Sequence, residues 1–178
     1  MALLRAAAYT GGEWVIWVLL ALSVGAVAVI LERGALLRRE GILRTARPGG
    51  SGALGPFYRR VLARAGTRAG ESGKLRDRME LERRLMVLGS LGALAPFIGL
   101  FGTILGIIRA FHDLAQIGAG HPEIVMQGIA EALIATAAGI LLAVVCVASY
   151  NFFRRRIRDA FTMAEYLEAS RGGSRRRN

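Results

Sequence analysis

The chain has 178 residues, of which 53% are hydrophobic, yet Lys and Arg outnumber Asp and Glu by 24 to 13. A soluble domain of this size does not combine so apolar a composition with so basic a balance; an integral membrane protein does, with apolar residues gathered into spans and basic residues beside them. The basic residues do cluster beside the apolar runs, so orientation and contact with anionic lipid account for them and no nucleic-acid role is needed.

Residues 1–13 read as a short segment outside the membrane and Trp14–Leu31 as the first span. Uncharged runs at Leu85–Ile108 and Ala132–Phe153 supply two more. As helices the three runs would be about 27 to 36 Å long, enough for a hydrocarbon core of about 30 Å. Only Arg5 precedes the first span, whereas Arg33, Arg38 and Arg39 follow it, the reverse of a secretory signal. It therefore reads as a retained anchor, with Trp14 and Trp17 at its outer interface. Glu32–Arg84 carries 14 basic residues against 6 acidic ones and the stretch after Phe153 carries 8 against 3, while Phe111–Ala130 has no Lys or Arg. The positive-inside rule makes 32–84 and 154–178 cytoplasmic and puts the N-terminus and the 111–123 connector outside.

The breakers in RPGGSGALGP make 47–56 a linker within the cytoplasmic stretch. Beyond it, Leu75, Met79, Leu85 and Met86 fall near one face of KLRDRMELERRLMVLG, with no breaker before the second span at 85–110. Pro122 and Glu123 suit a helix start, which assigns 124–153 to the third span. Past it, Phe153, Ile157, Ala160, Phe161, Ala164 and Leu167 recur at helical spacing. The expectation is an all-α protein whose second and third helices extend into the cytoplasm, their stripes either packed on each other or open to a partner.

Two small-residue stripes run along these spans. Gly89, Gly92, Pro96, Gly99, Thr103, Gly106 and Ala110 share one face of the second, and Ala132, Thr136, Gly139, Ala143 and Cys146 share one face of the third. Small faces let helix backbones approach closely in lipid, as does the Gly102/Gly106 pair. Each stripe has a threonine at its middle, which either bonds its own backbone one turn back or offers a hydroxyl to a pathway. Glu131 borders the second stripe, between the outer boundary and roughly 10 Å below it. An ionisable group at that depth is a functional candidate. Cys146 is the sole cysteine, so an internal disulfide or cysteine metal cluster is not possible.

Two blocks, LERRLMVLGSLGALAPFIGLFGTILGIIRAF and GIAEALIATAAGILLAVVCVASYN, resemble the proton-channel family of TolQ, ExbB and MotA, most closely its three-span TolQ and ExbB branch. The resemblance covers Lys74–Asn151, through the patterns APxxGLxGT and EALxxTxxG with a following YN. It implies a homo-oligomeric ring, pentameric in relatives, around single-span helices of an ExbD- or TolR-like partner that supplies the protonatable Asp, with a TonB- or TolA-like protein beyond. It also implies that Thr103 and Thr136 line the proton pathway, with Glu131 at the outer end of the last span. Gly92, Pro96, Gly99, Gly102, Gly106, Ala132, Gly139 and Ala143 would then form the packing or pore face. Where relatives of this branch carry a proline in the third span the chain has Val145, so an uninterrupted helix is expected. A fourth span of the MotA type is not among the apolar runs.

Two other readings remain at this stage. A non-conducting membrane scaffold would use the same helices without ion flux. An enzyme would have only His112, Asp113 and His121 as obvious metal ligands, without a spaced motif, so neither catalytic residue, metal nor cofactor is expected.

Overall fold

The structure is a computed structural model and describes residues 13–42, 55–64, 68–117 and 121–175. Among these residues five helices follow one another: α1 (Glu13–Arg39), α2 (Pro56–Ala63), α3 (Arg68–Arg83), α4 (Leu85–Ile117) and α5 (Pro122–Arg175). Among the described residues three helices are long and apolar enough to cross a membrane. No strand occurs among the described residues. Most of the expected 47–56 linker lies outside them; the chain resumes at Gly55, and Pro56 already opens α2, where its missing N–H costs no helix bond. α5 runs through Val145 as one 54-residue helix.

The chain divides into two compact units, the first comprising residues 1–27 and 88–148. Its described part is an antiparallel pairing of α4 with α5, with the start of α1 against α4. The pairing is so close that side chains barely fit. A β-carbon on Gly99 would lie 2.6 Å from the Ala135 carbonyl oxygen, and one on Gly139 would lie 2.6 Å from that of Ala95. Gly92 faces Val147, Gly106 faces Ala132 and Gly128 faces Ala110 in the same way. Near Gly102 the nearest groups are Ala135 and Val15, the latter from α1. Outward-facing Leu20, Val24, Leu94, Phe97, Leu133, Ile140, Leu141 and Val144 are largely exposed, an apolar surface far larger than soluble proteins leave uncovered.

The second unit comprises residues 28–87 and 149–178. α1 ends in a Schellman motif, in which Gly41 N–H donates to Arg38 and Ile42 N–H to Leu37, with Ile42 buried. Gly41 has φ +74°, and an added β-carbon would lie 2.9 Å from Gly55 Cα. Gly41→Ala is therefore expected to cost about 1–2 kcal/mol, since an L-residue is strained in this left-handed region. The check is a lower melting midpoint of the purified protein in detergent.

The run that lacks sequence breakers is nonetheless interrupted, at Arg84 alone. The last carbonyls of α3 lose their helical donors there, and Arg33, only 4% exposed, supplies substitutes. Its Nη1 donates to Leu81 O at 3.3 Å and approaches Glu80 O at 3.5 Å. Arg84 pairs with Glu32, so α1 holds both sides of the break.

The two apolar stripes beyond the spans do not share one fate. Phe153, Ile157, Ala160, Phe161 and Ala164 are buried, Phe161 edge-on to Phe57 of α2 at 5.1 Å. Lys74 pairs with Glu168, tying α3 to α5. Between Leu75 and Met86 the buried positions are Leu81 and Leu85, whereas Leu75, Met79 and Met86 are exposed. The sequence pattern marks a helix face there, but among the described residues nothing covers Leu75, Met79 and Met86, three of its four residues.

Candidate functional site

The close approach of α4 and α5 brings the two mid-stripe threonines together. Thr136 Oγ1 donates to Thr103 Oγ1 at 3.3 Å, and Thr103 Oγ1 donates to the Leu100 carbonyl at 2.7 Å. The second bond is the backbone bond that a threonine in a span makes to its own helix. The first requires register: Thr103 is four residues past Gly99 and Thr136 three before Gly139, and these glycines are where the helices touch. Thr103 is buried, at 5% exposure, and Thr136 is half-buried. Of the two threonines, Thr136 is the less buried. Two linked hydroxyls can donate and accept without fixed charge.

The remaining predicted residues divide by surroundings. Gly92, Gly99, Gly102, Gly139, Ala132 and Ala143 are buried, and Gly106 and Pro96 are half-buried. Pro96 lies inside α4 and removes the N–H that would bond the Gly92 carbonyl. Within this chain the glycines are occupied in helix packing.

Glu131 is exposed and accepts a hydrogen bond from Gln127 Nε2 at 3.0 Å; no described bond joins it to the threonines. It lines a cleft of about 400 Å³ together with Glu13, Arg109, Asp113 and Gln127. Here the structure adds what sequence reasoning missed. Arg109 pairs with Glu13 of α1 at 2.9 Å and approaches Asp113 at 3.7 Å. A signal was present, because Arg109 is the one basic residue between Leu85 and Phe153 and stands four before Asp113. The Glu13 partner is distant in sequence and carries no such mark. Near the start of α5, Glu123 is held below the ordinary carboxylate range by backbone hydrogen bonding and by His121, whose Nδ1 is 2.8 Å away. Among the described residues no group of three His, Cys, Asp or Glu side chains is arranged to hold a metal.

Comparison with known proteins finds a family match over the region that holds this helix pair. Residues 64–165 match the MotA/TolQ/ExbB proton channel family. The chain belongs to that family. The biopolymer transport protein ExbB of Salmonella typhimurium is 40% identical over 103 residues, which covers 52% of this chain and 42% of that protein. The Tol-Pal system protein TolQ of Pseudomonas aeruginosa is 40% identical over 98 residues, 53% of this chain and 42% of TolQ. ExbB of Neisseria gonorrhoeae reaches 48% over 71 residues, 40% of this chain and 32% of that protein. The chain thus spans less than half the length of these relatives. The matched region includes Thr103, Thr136, Glu131 and the α4/α5 pairing, and the three apolar helices agree with a multi-pass membrane protein.

Proposed function

We propose that this chain is an ExbB- or TolQ-like subunit of a bacterial inner-membrane channel, driven by the proton-motive force, that energises a partner acting at the periplasm or outer membrane. The observation that carries the reading is the Thr136–Thr103 hydroxyl pair on the tightly packed helices of a chain in this family. The subunits form a homo-oligomeric ring, pentameric as in relatives, around an ExbD- or TolR-like helix that supplies the protonatable Asp; a TonB- or TolA-like protein receives the work. A carboxylate facing a small apolar wall has a raised pKa and takes a proton from one side before releasing it to the other. Thr136, the less buried of the two, meets that carboxylate with its hydroxyl, while Thr103 orients it. Glu131 acts at the outer end, where the cleft with Arg109 and Asp113 admits water. Membrane potential contributes about 2.3 kcal/mol per proton per 100 mV, enough to bias a two-state contact. A gliding-type stator of the same family uses the same chemistry with another partner.

A non-conducting scaffold is the second reading, and the burial of Thr103 favours it. Proton uptake by liposomes that hold the chain with its partner separates the two, because a scaffold passes none. The topology is testable independently. In a Cys146→Ala background, single cysteines at Gly120, Ser72 and Ser174 are expected to react with an impermeant thiol reagent in intact cells only at Gly120. This follows from the Lys/Arg asymmetry, and labelling of Ser72 would reverse the orientation.

A further inference from the structure

The second unit contains a groove of about 720 Å³ that no part of the proposed proton pathway uses. Arg76, Met79, Arg83, Met86, Tyr150 and Arg154 line it. Its apolar side is open, Met79 being 71% and Met86 64% exposed. Its polar side is cationic. No described ion pair engages Arg76, Arg83 or Arg154, and the Arg154 guanidinium lies 5.6 Å from the Tyr150 ring centroid. Glu80 and Glu82 also contribute to the walls, but Glu82 is already paired with Arg78 at 3.1 Å. The groove is therefore net positive.

We infer that this groove binds an anionic phospholipid of the cytoplasmic leaflet. The span boundaries at Leu85 and Phe153 divide the lining in the right sense. Met86 and Tyr150 fall inside the hydrocarbon edge, while Arg83 and Arg154 fall just outside it, at headgroup level. Guanidinium forks match phosphate oxygens bidentately, and a basic pocket beside spanning helices on the cytoplasmic side suits such a headgroup. One acyl chain then covers Met86 and the exposed Val87. The groove's net positive charge, with an exposed apolar side beside it, favours an anionic amphiphile as occupant. The assignment rests on the membrane reading and not on proton transfer, so either can fail alone.

The test uses the full chain in nanodiscs made of equal phosphatidylglycerol and phosphatidylcholine, with lipid retained on the released protein identified by native mass spectrometry. Wild type is expected to retain phosphatidylglycerol preferentially. Arg83→Gln with Arg154→Gln should lower that retention by about fivefold for each arginine. Arg59→Gln with Arg155→Gln removes the same charge from positions outside the groove and should leave retention unchanged. Equal losses in the two double variants would reduce the effect to general surface charge and overturn the site. A photoactivatable phosphatidylglycerol supplies a measurement on unaltered protein, with crosslinks expected within 79–86 and 150–154. Crosslinks absent there, or displacement of the lipid by inorganic phosphate alone, would each overturn the proposal.

Discussion

Gly99→Leu and Gly139→Leu are each expected to prevent α4 and α5 from packing, and with that to remove the assembled protein from the membrane. The β-carbon alone would lie 2.6 Å from a backbone carbonyl oxygen in both cases, and next to Thr136 Cα at 3.0 Å or Gly99 Cα at 3.1 Å. Backbone cannot rotate aside as a side chain can, so the helices must separate along the contact that holds the threonines in register. Overpacking typically costs about 1–3 kcal/mol, and a leucine against backbone on both helices belongs at or above the top of that range. In lipid there is no hydrophobic gain to hold the pair together once close contact is lost. Gly25→Leu is the control, since nothing lies within 4 Å of a β-carbon there. It should accumulate and assemble as wild type. Membrane abundance and native mass spectrometry in detergent read the outcome; a wild type that is monomeric when purified with its partner would remove the ring from the account.

Much of this architecture is legible in the sequence because the membrane imposes simple demands. Uncharged runs of sufficient length mark the three apolar helices, and the three-and-four spacing of Gly92, Gly99, Thr103 and Gly106 marks one close-packing face. What the spacing cannot say is what the face packs against. A small stripe looks the same whether it meets another helix of the same chain, a neighbouring subunit or a pore, and only the structure shows Gly99 and Gly139 spent on each other. The threonine pair is likewise a matter of register between two helices that approach within van der Waals contact, which no one-dimensional pattern encodes. The break at Arg84 has no proline or glycine to announce it. It is stabilised by Arg33, some fifty positions earlier, and the interaction becomes visible only when α1 and α3 are brought together. The exposure of Met79 and Met86 beside the buried Leu81 and Leu85 shows the same limit, because periodicity identifies an apolar face without saying whether the chain itself covers it.

The second large effect falls on proton flux, with assembly unchanged. Thr136→Val keeps the side-chain shape and removes the hydroxyl of the less buried threonine, while leaving Thr103 its bond to the Leu100 carbonyl. Thr103→Val leaves the Thr136 hydroxyl without its acceptor. Both are expected to abolish proton-driven function. The double valine variant should assemble at least as well as either single one, since removing both partners of a hydrogen bond strands no polar group. Glu131→Gln is expected to be milder. Its side chain is exposed, bonded to Gln127, and set apart from the threonines, so neutralising it alters the outer cleft and not the transfer step.

The most direct measurement is potential-driven proton uptake by liposomes containing equal amounts of the wild-type or the Thr136→Val complex, each with its single-span partner, alongside the mass of each assembly. The account predicts uptake by the wild type and only background leak through a Thr136→Val assembly of the same size. A Thr136→Val assembly that carried protons at the wild-type rate would contradict it and leave the threonine pair a packing contact.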